Sequence, residues 1–217
     1  MTDCNKGRAR HRLLLTLLVL GLAPGVRVAA QNRMPPIPPE KMTEAQKKAV
    51  AEFAAARGTA DISGPFAPLL RSPEVMSRAR AMGDYLRYKS VLPQKLSELV
   101  ILITARHWTQ QYEWNAHYAI AMKAGLSPEI GKAIAEGRRP ERMAADEEVL
   151  YDFCTELHRN QSISDATYAR LVSRFGEQGV IDTIGITGYY SLLAMVLNTA
   201  RVPVGAGGAP PLAPFPQ

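Results

Sequence analysis

Cysteine is nearly missing from this chain. Only Cys4 and Cys154 occur in 217 residues, and Cys4 sits in a basic N-terminal stretch with the marks of a cleaved leader. The single thiol that remains makes no internal disulfide, which excludes a stapled scaffold and leaves stability to packing. Aromatic residues are also few, at 7%. No segment alternates for long with period two, and no two-residue hairpin turn joins candidate strands, so a sheet is not expected.

An excess of one charge is largely absent too, once the leader is set aside. Lys6, Arg8, Arg10 and Arg12 precede the apolar run 13–22, and small residues Val28, Ala29 and Ala30 follow. That order is a secretory signal with cleavage after Ala30, and its apolar run is about half the ~20 residues of a bilayer span. The uncleaved alternative is a membrane anchor. The leader carries five of the 26 Lys and Arg and one of the 20 Asp and Glu, which leaves 21 against 19. So small an excess argues for no nucleic-acid partner. An exported protein, periplasmic or secreted and off the membrane after cleavage, is the expectation. Its 187 residues suffice for one domain with a real core.

What is present is helical. Residues 31–41 hold four prolines and read as an extended arm. Thr43 with Gln46 forms a capping box for a helix that stops at Gly58, with Val50, Phe53 and Ala54 as its apolar stripe. A loop with Gly64, Pro65 and Pro68 follows, its Phe66, Leu69 and Leu70 apolar enough to pack down. Ser72-Pro73 opens a helix whose stripe reads Val75, Ala79, Met82, Tyr85 and Leu86. Leu92-Pro93 launches the next, apolar on all sides from 99 to 103 and hence buried on both faces. Further helices are expected over 110–123, 128–136 and 145–158, then from the Ser164 cap through Phe175, and over 179–198. The basic turn 137–142 reads as a solvated loop, and 202–217 as a Pro/Gly-rich tail from which Leu212 and Phe215 could dock. The expectation is an all-α, single-domain helical bundle over 42–201, with seven or eight helices.

One stretch is dense in groups that exchange protons or donate hydrogen bonds. Behind the apolar run stand His107, Gln110, Tyr112, Glu113 and His117. On a helix, Gln110, Glu113 and His117 fall at i, i+3 and i+7, along one face. Polar groups beside a core-forming run are there to pair or to work.

The run LPQKLSELVILITARHWTQQYEWNAHYAIAMKAGLSPEIGKAI resembles the carboxymuconolactone decarboxylase family, which includes alkyl hydroperoxidase D, and the likeness is best over residues 64–137. Redox members carry a Glu, then eleven residues, then Cys-x-x-Cys-x-x-x-His. Glu98 falls on the Glu, Gln110 and Glu113 on the two Cys, and His117 on the His. The chain looks most like a subgroup with a YEW...H version, here Tyr112, Glu113, Trp114 and His117. The resemblance implies the alkyl hydroperoxidase D-like bundle and a homo-oligomer, trimer or hexamer, with helices 93–107 and 110–124 near the subunit contact.

The departure decides the expected chemistry. A dithiol peroxidase needs an attacking and a resolving thiol, and Gln110 and Glu113 supply neither. Cys154 reads as a small buried hydrophobe. What remains is acid/base work by Glu98, Glu113 and His117 on a small carboxylated or lactone substrate, a decarboxylation or an isomerisation with no cofactor. Arg106 and His107 would supply positive charge for its carboxylate, beside Gln110, with Tyr112 and Trp114 as an apolar wall. No metal is expected, because the usual iron triad is two His and one carboxylate. The alternatives are a peroxidase-like activity through Cys154, a structural Glu98 and His117 pair, and a non-catalytic oligomeric scaffold.

Overall fold

The computed structural model describes Met1, residues 31–205 and residues 207–212. The leader beyond Met1, and Phe215, lie outside the described residues. Eight α-helices and no strand occur among the described residues: α1 Glu44–Arg57, α2 Phe66–Leu69, α3 Pro73–Tyr88, α4 Gln94–His107, α5 Gln111–Lys123, α6 Pro128–Ala135, α7 Ala145–Asn160 and α8 Asp165–Ala200. The protein is all-α, as its patterning requires.

Helix starts follow local chemistry. Thr43 Oγ1 accepts from the Gln46 amide at 3.3 Å while Gln46 Oε1 accepts from the Thr43 amide at 2.9 Å, closing the box that begins α1. Ser127 and Ser164 accept from backbone amides in the same way at α6 and α8. Within α8, Gly176 adopts φ 69° and ψ 178°. That region is open essentially to glycine alone, so the helix is interrupted there, between the two helices that the sequence pattern separates.

The centre of the bundle is α4. Every residue from Leu96 to Arg106 is buried, and α3, α5, α6, α7 and α8 pack around it. Each of its buried Leu, Val and Ile side chains stabilises the fold by about 1.5–3 kcal/mol. By length and composition α8 could cross a bilayer, yet 56% of its most apolar window is buried inside the protein.

Three local expectations are corrected. The segment after Gly64 is not only a loop but the short helix α2, formed where Phe66, Ala67, Pro68 and Leu69 are pressed into the core. In α3 the buried stripe is Met76, Ala79, Gly83 and Leu86, whereas Val75, Met82 and Tyr85 are 40–45% exposed. The glycine at 83 lets α3 approach Tyr189, which rotates the helix away from the face its larger side chains suggest. Residues 31–41 are not wholly extended, since Pro39–Lys41 form a 3-10 turn. The arm is tied down, with the Arg33 amide donating to Ala200 O at 2.8 Å. The tail lacks regular structure but docks: Trp114 Nε1 donates to Pro210 O at 2.8 Å, the Leu212 amide to Gln111 Oε1 at 2.9 Å, and Leu212 is buried.

Candidate active site

The helices α4 and α5 lie side by side and meet at three ionisable groups. Glu98 comes from α4, and Glu113 and His117 from successive turns of α5. His117 Nδ1 and Glu98 Oε2 are 2.6 Å apart, and His117 Nε2 and Glu113 Oε2 are 3.6 Å apart. All three are buried, at 2%, 3% and 6% exposure for Glu98, Glu113 and His117. An ionised carboxylate only accepts, so Glu98 fixes the proton on Nδ1 and turns the Nε2 lone pair toward Glu113. The edge-on ring of Tyr190, 4.9 Å away between centroids, holds the imidazole plane.

A cavity of about 280 Å³ opens on this group, lined by Glu113 and His117 together with Arg57, Arg87, Tyr112, Tyr189 and Tyr190. Glu98 is not among its lining residues and stands behind the imidazole. Burial raises the Glu113 carboxyl above its ordinary range, against the pull of His117 and Arg87, so its neutral form is favoured. Glu113 Oε1 has no hydrogen-bond partner among the described residues, nor has the buried Nε of Arg87. An acid and a cation thus face one cavity with unused hydrogen-bonding capacity. Burial pushes the phenols of Tyr189 and Tyr190 up, so both are neutral O–H groups at any ordinary pH. The Arg57 guanidinium is fixed by Asp84 at 2.9 Å and stacks 4.7 Å from the Phe66 ring. Gly64, at φ 58°, brings backbone against Tyr112, since a Cβ there would stand 2.6 Å from the phenol oxygen.

Four residues expected at the substrate are elsewhere. Arg106 and His107 lie at the other end of α4, about 12 Å along the helix from Glu98 at 1.5 Å per residue, and line a different cavity. Gln110 is the N-cap of α5: its Oε1 accepts from the Tyr112 amide at 2.7 Å, and its Nε2 donates to Asn198 at 2.6 Å. It fills the first thiol's place in the motif with a structural cap. Trp114 is fully buried, bonded to the tail and packed on Tyr118, so it is core and not a wall of the cavity. Only Tyr112 of the proposed substrate contacts lines the cavity.

Sequence reasoning missed Arg57, Arg87, Tyr189 and Tyr190. A signal for Arg87 existed: it follows Gly83 by one helical turn, beside the true inner stripe of α3. Reading the stripe through the larger residues hid it.

Cys154 is fully buried on α7, its thiol 3.9 Å from Thr187 Oγ1 and pushed up to about 12 by burial. It does not line this cavity. No group of three or more His, Cys, Asp and Glu with metal-holding geometry occurs among the described residues.

Comparison with known proteins agrees with the fold. Residues 73–143 match the model of the carboxymuconolactone decarboxylase family. No curated protein matches the sequence. Among solved structures, a peroxidase-related protein with an alkylhydroperoxidase AhpD core from Ralstonia eutropha JMP134 is 17% identical, the match covering 82% of this chain and 94% of that one with a TM-score of 0.64. A peroxidase-related protein from Silicibacter sp. TM1040 is 19% identical, covering 86% and 96% with a TM-score of 0.62. At such identities the likeness is one of fold. The matched segment runs from α3 through α6, so that part of the chain carries the pattern of the carboxymuconolactone decarboxylase family, within a bundle whose fold is of the AhpD type.

Proposed function

We propose that the protein catalyses proton transfer at carbon, a decarboxylation or an isomerisation, on a small carboxylated or lactone substrate, without a cofactor. The observation that carries this reading is the cavity in which a neutral-leaning Glu113 and the Nε2 edge of His117 face Arg87, whose buried Nε has no hydrogen-bond partner among the described residues. In this scheme Arg87 holds the substrate anion and Glu98 positions His117. In decarboxylation the carbon–carbon bond breaks, carbon dioxide leaves, and its electron pair passes into the neighbouring carbonyl as an enolate. The Glu113 carboxyl or the His117 imidazolium then delivers one proton to carbon, and solvent restores it. Isomerisation uses the same groups in two steps, His117 Nε2 removing the proton and the acid returning it at the other end of the enol.

The test is a screen of carboxylated lactones for carbon dioxide release and solvent deuterium incorporation. The reading predicts one incorporated deuterium per turnover and a large fall in turnover in His117→Gln; unchanged turnover in that variant overturns it. Peroxide reduction is the alternative that the peroxidase-related neighbours suggest. It would have to use a thiol that is buried and held protonated. Peroxide turnover abolished in Cys154→Ala would favour it over proton transfer. A scaffold without catalysis would show no turnover in the screen and lose stability in both Glu98→Ala and His117→Ala.

Export and self-association belong to the same proposal. Val75, Met82, Tyr85, Tyr88 and Val91, with Ile181 and Ile184 of α8, are each at least 40% exposed, apolar surface that a homo-oligomer would cover. Mass spectrometry of the secreted protein is expected to give an N-terminus at Gln31, and light scattering a trimer or hexamer.

A further inference from the structure

The cavity at His117 has one wall that the proton-transfer scheme leaves unused. Residues 59–63 join α1 to α2 without regular structure, and Thr59, Asp61 and Ser63 line the cavity. Ala60 and Ile62 line instead an apolar hollow of about 480 Å³, bordered also by Asp61, by Ile37 of the arm and by Val50 of α1. An extended segment turns successive side chains to opposite sides, which separates a polar row from an apolar one. Ile62 packs against the hydrophobic core and so anchors the register. A slip by one residue would exchange the two rows.

The segment is held at both ends. Gly58 closes α1 at φ 71°, and the Phe66 amide donates to Ser63 O at 3.2 Å where α2 begins. Between them the Asp61 amide donates to Thr59 Oγ1 at 3.1 Å. Beyond that bond, the side chains of Thr59, Asp61 and Ser63 have no hydrogen-bond or ion-pair partner among the described residues. Exposed polar side chains of a loop commonly face water alone. These three are set apart because the opposite side of their cavity holds the buried Glu113 and His117. The Tyr112 phenol is pushed up by burial and then by the negative charges of Glu113 and Asp61, so it adds a neutral O–H between the two acids.

We infer that the substrate is a hydroxylated monocarboxylate, open or as a carboxylated lactone, whose anionic head goes to Arg87 and whose hydroxyl groups go to Thr59, Asp61 and Ser63. This assignment rests on the proton-transfer reading of the same cavity. A carboxylate accepts from a hydroxyl, while Thr and Ser both accept and donate, which is what a row of hydroxyl groups requires. Asp61 has a second effect: it repels another carboxylate at the outer end and so disfavours a diacid. An apolar chain would leave the polar row unmatched, and a site built to bond hydroxyls discriminates against the analogue that lacks them. Asp61 is therefore the residue that determines specificity.

The experiment is an NMR titration of the full chain, followed at the His117 ring, with acids of equal chain length: gluconate, hexanoate, glucarate and ε-aminocaproate. Gluconate is expected to bind about tenfold tighter than hexanoate and about fivefold tighter than glucarate. Asp61 is exposed, so its replacement leaves the core untouched. In Asp61→Leu the preference over hexanoate is expected to fall about fivefold. Asp61→Asn still accepts from a hydroxyl, so it is expected to keep that preference and to lose the discrimination against glucarate. Equal affinity for gluconate and hexanoate, an unchanged order in Asp61→Leu, or tightest binding by ε-aminocaproate overturns the inference and leaves the proton-transfer reading standing. A His117 ring unmoved by every acid overturns both. The expected order of affinities, with no turnover in the screen of carboxylated lactones, supports the recognition and overturns the catalysis.

Discussion

The two ends of α4 solve opposite electrostatic problems. Near its start, Glu98 and Glu113 flank one buried imidazole, and burial drives the Glu113 carboxyl toward its neutral form. At its end, arginines and a stacked pair of imidazoles surround a hollow, and burial keeps the imidazoles neutral. The same desolvation therefore favours the protonated, neutral form of a carboxyl at one end and the deprotonated, neutral form of the imidazoles at the other. Burial is deeper at the first, where Glu113 and His117 are buried, than at the second, where His158 is half-buried and His107 exposed.

The sharpest way to break this contrast is His117→Gln. Turnover should fall by about 10²–10⁴-fold, the range of a lost general acid or base, read in steady-state kinetics. Next in size is Arg87→Met, expected to raise KM about 10- to 100-fold with kcat little changed, because a charge-assisted hydrogen bond to substrate contributes about 1.5–3 kcal/mol. Steady-state kinetics decides it; an unchanged KM refutes the role given to Arg87.

Smaller effects appear in stability. The folded protein keeps a proton on Glu113 that the unfolded chain releases near 4.5, so the stability this proton confers is complete below that pH and is lost as pH rises through the folded value. Glu113→Gln lacks that loss. Its melting temperature relative to the parent should climb as pH goes from 4 toward 7, and a constant difference would refute the assignment. His158 has the opposite sign: the unfolded chain takes a proton near 6.5 that the folded protein refuses until about 4. Stability from this group is present above 6.5 and is lost as pH falls toward 4. His158→Asn should flatten that part of the stability curve, by the smallest amount of the four changes because the ring is not fully enclosed.

Much of the fold was legible because its signals are local. Thr43 with Gln46, Ser127-Pro128 and the unbroken apolar run in α4 each determine structure within a turn or two, and the helices appear where those residues place them. The convergence of Glu98, Glu113 and His117 was accessible through the motif's spacing together with the helical repeat. The contacts of Gln110 and Trp114 were not, because their partners Asn198 and Pro210 lie 88 and 96 residues away.

By itself, then, the sequence determined an all-helical chain, a thiol-poor motif and the three ionisable groups on adjacent helices, since periodicity and caps act over a few residues. Only the tertiary structure decided that Arg87 and not Arg106 shares a cavity with Glu113 and His117, and that Arg106 and His107 face a different one. Which side chains meet across helices depends on how each helix is rotated in the bundle. In α3 that rotation was settled by the close approach of Gly83 to Tyr189, a contact between residues more than a hundred positions apart.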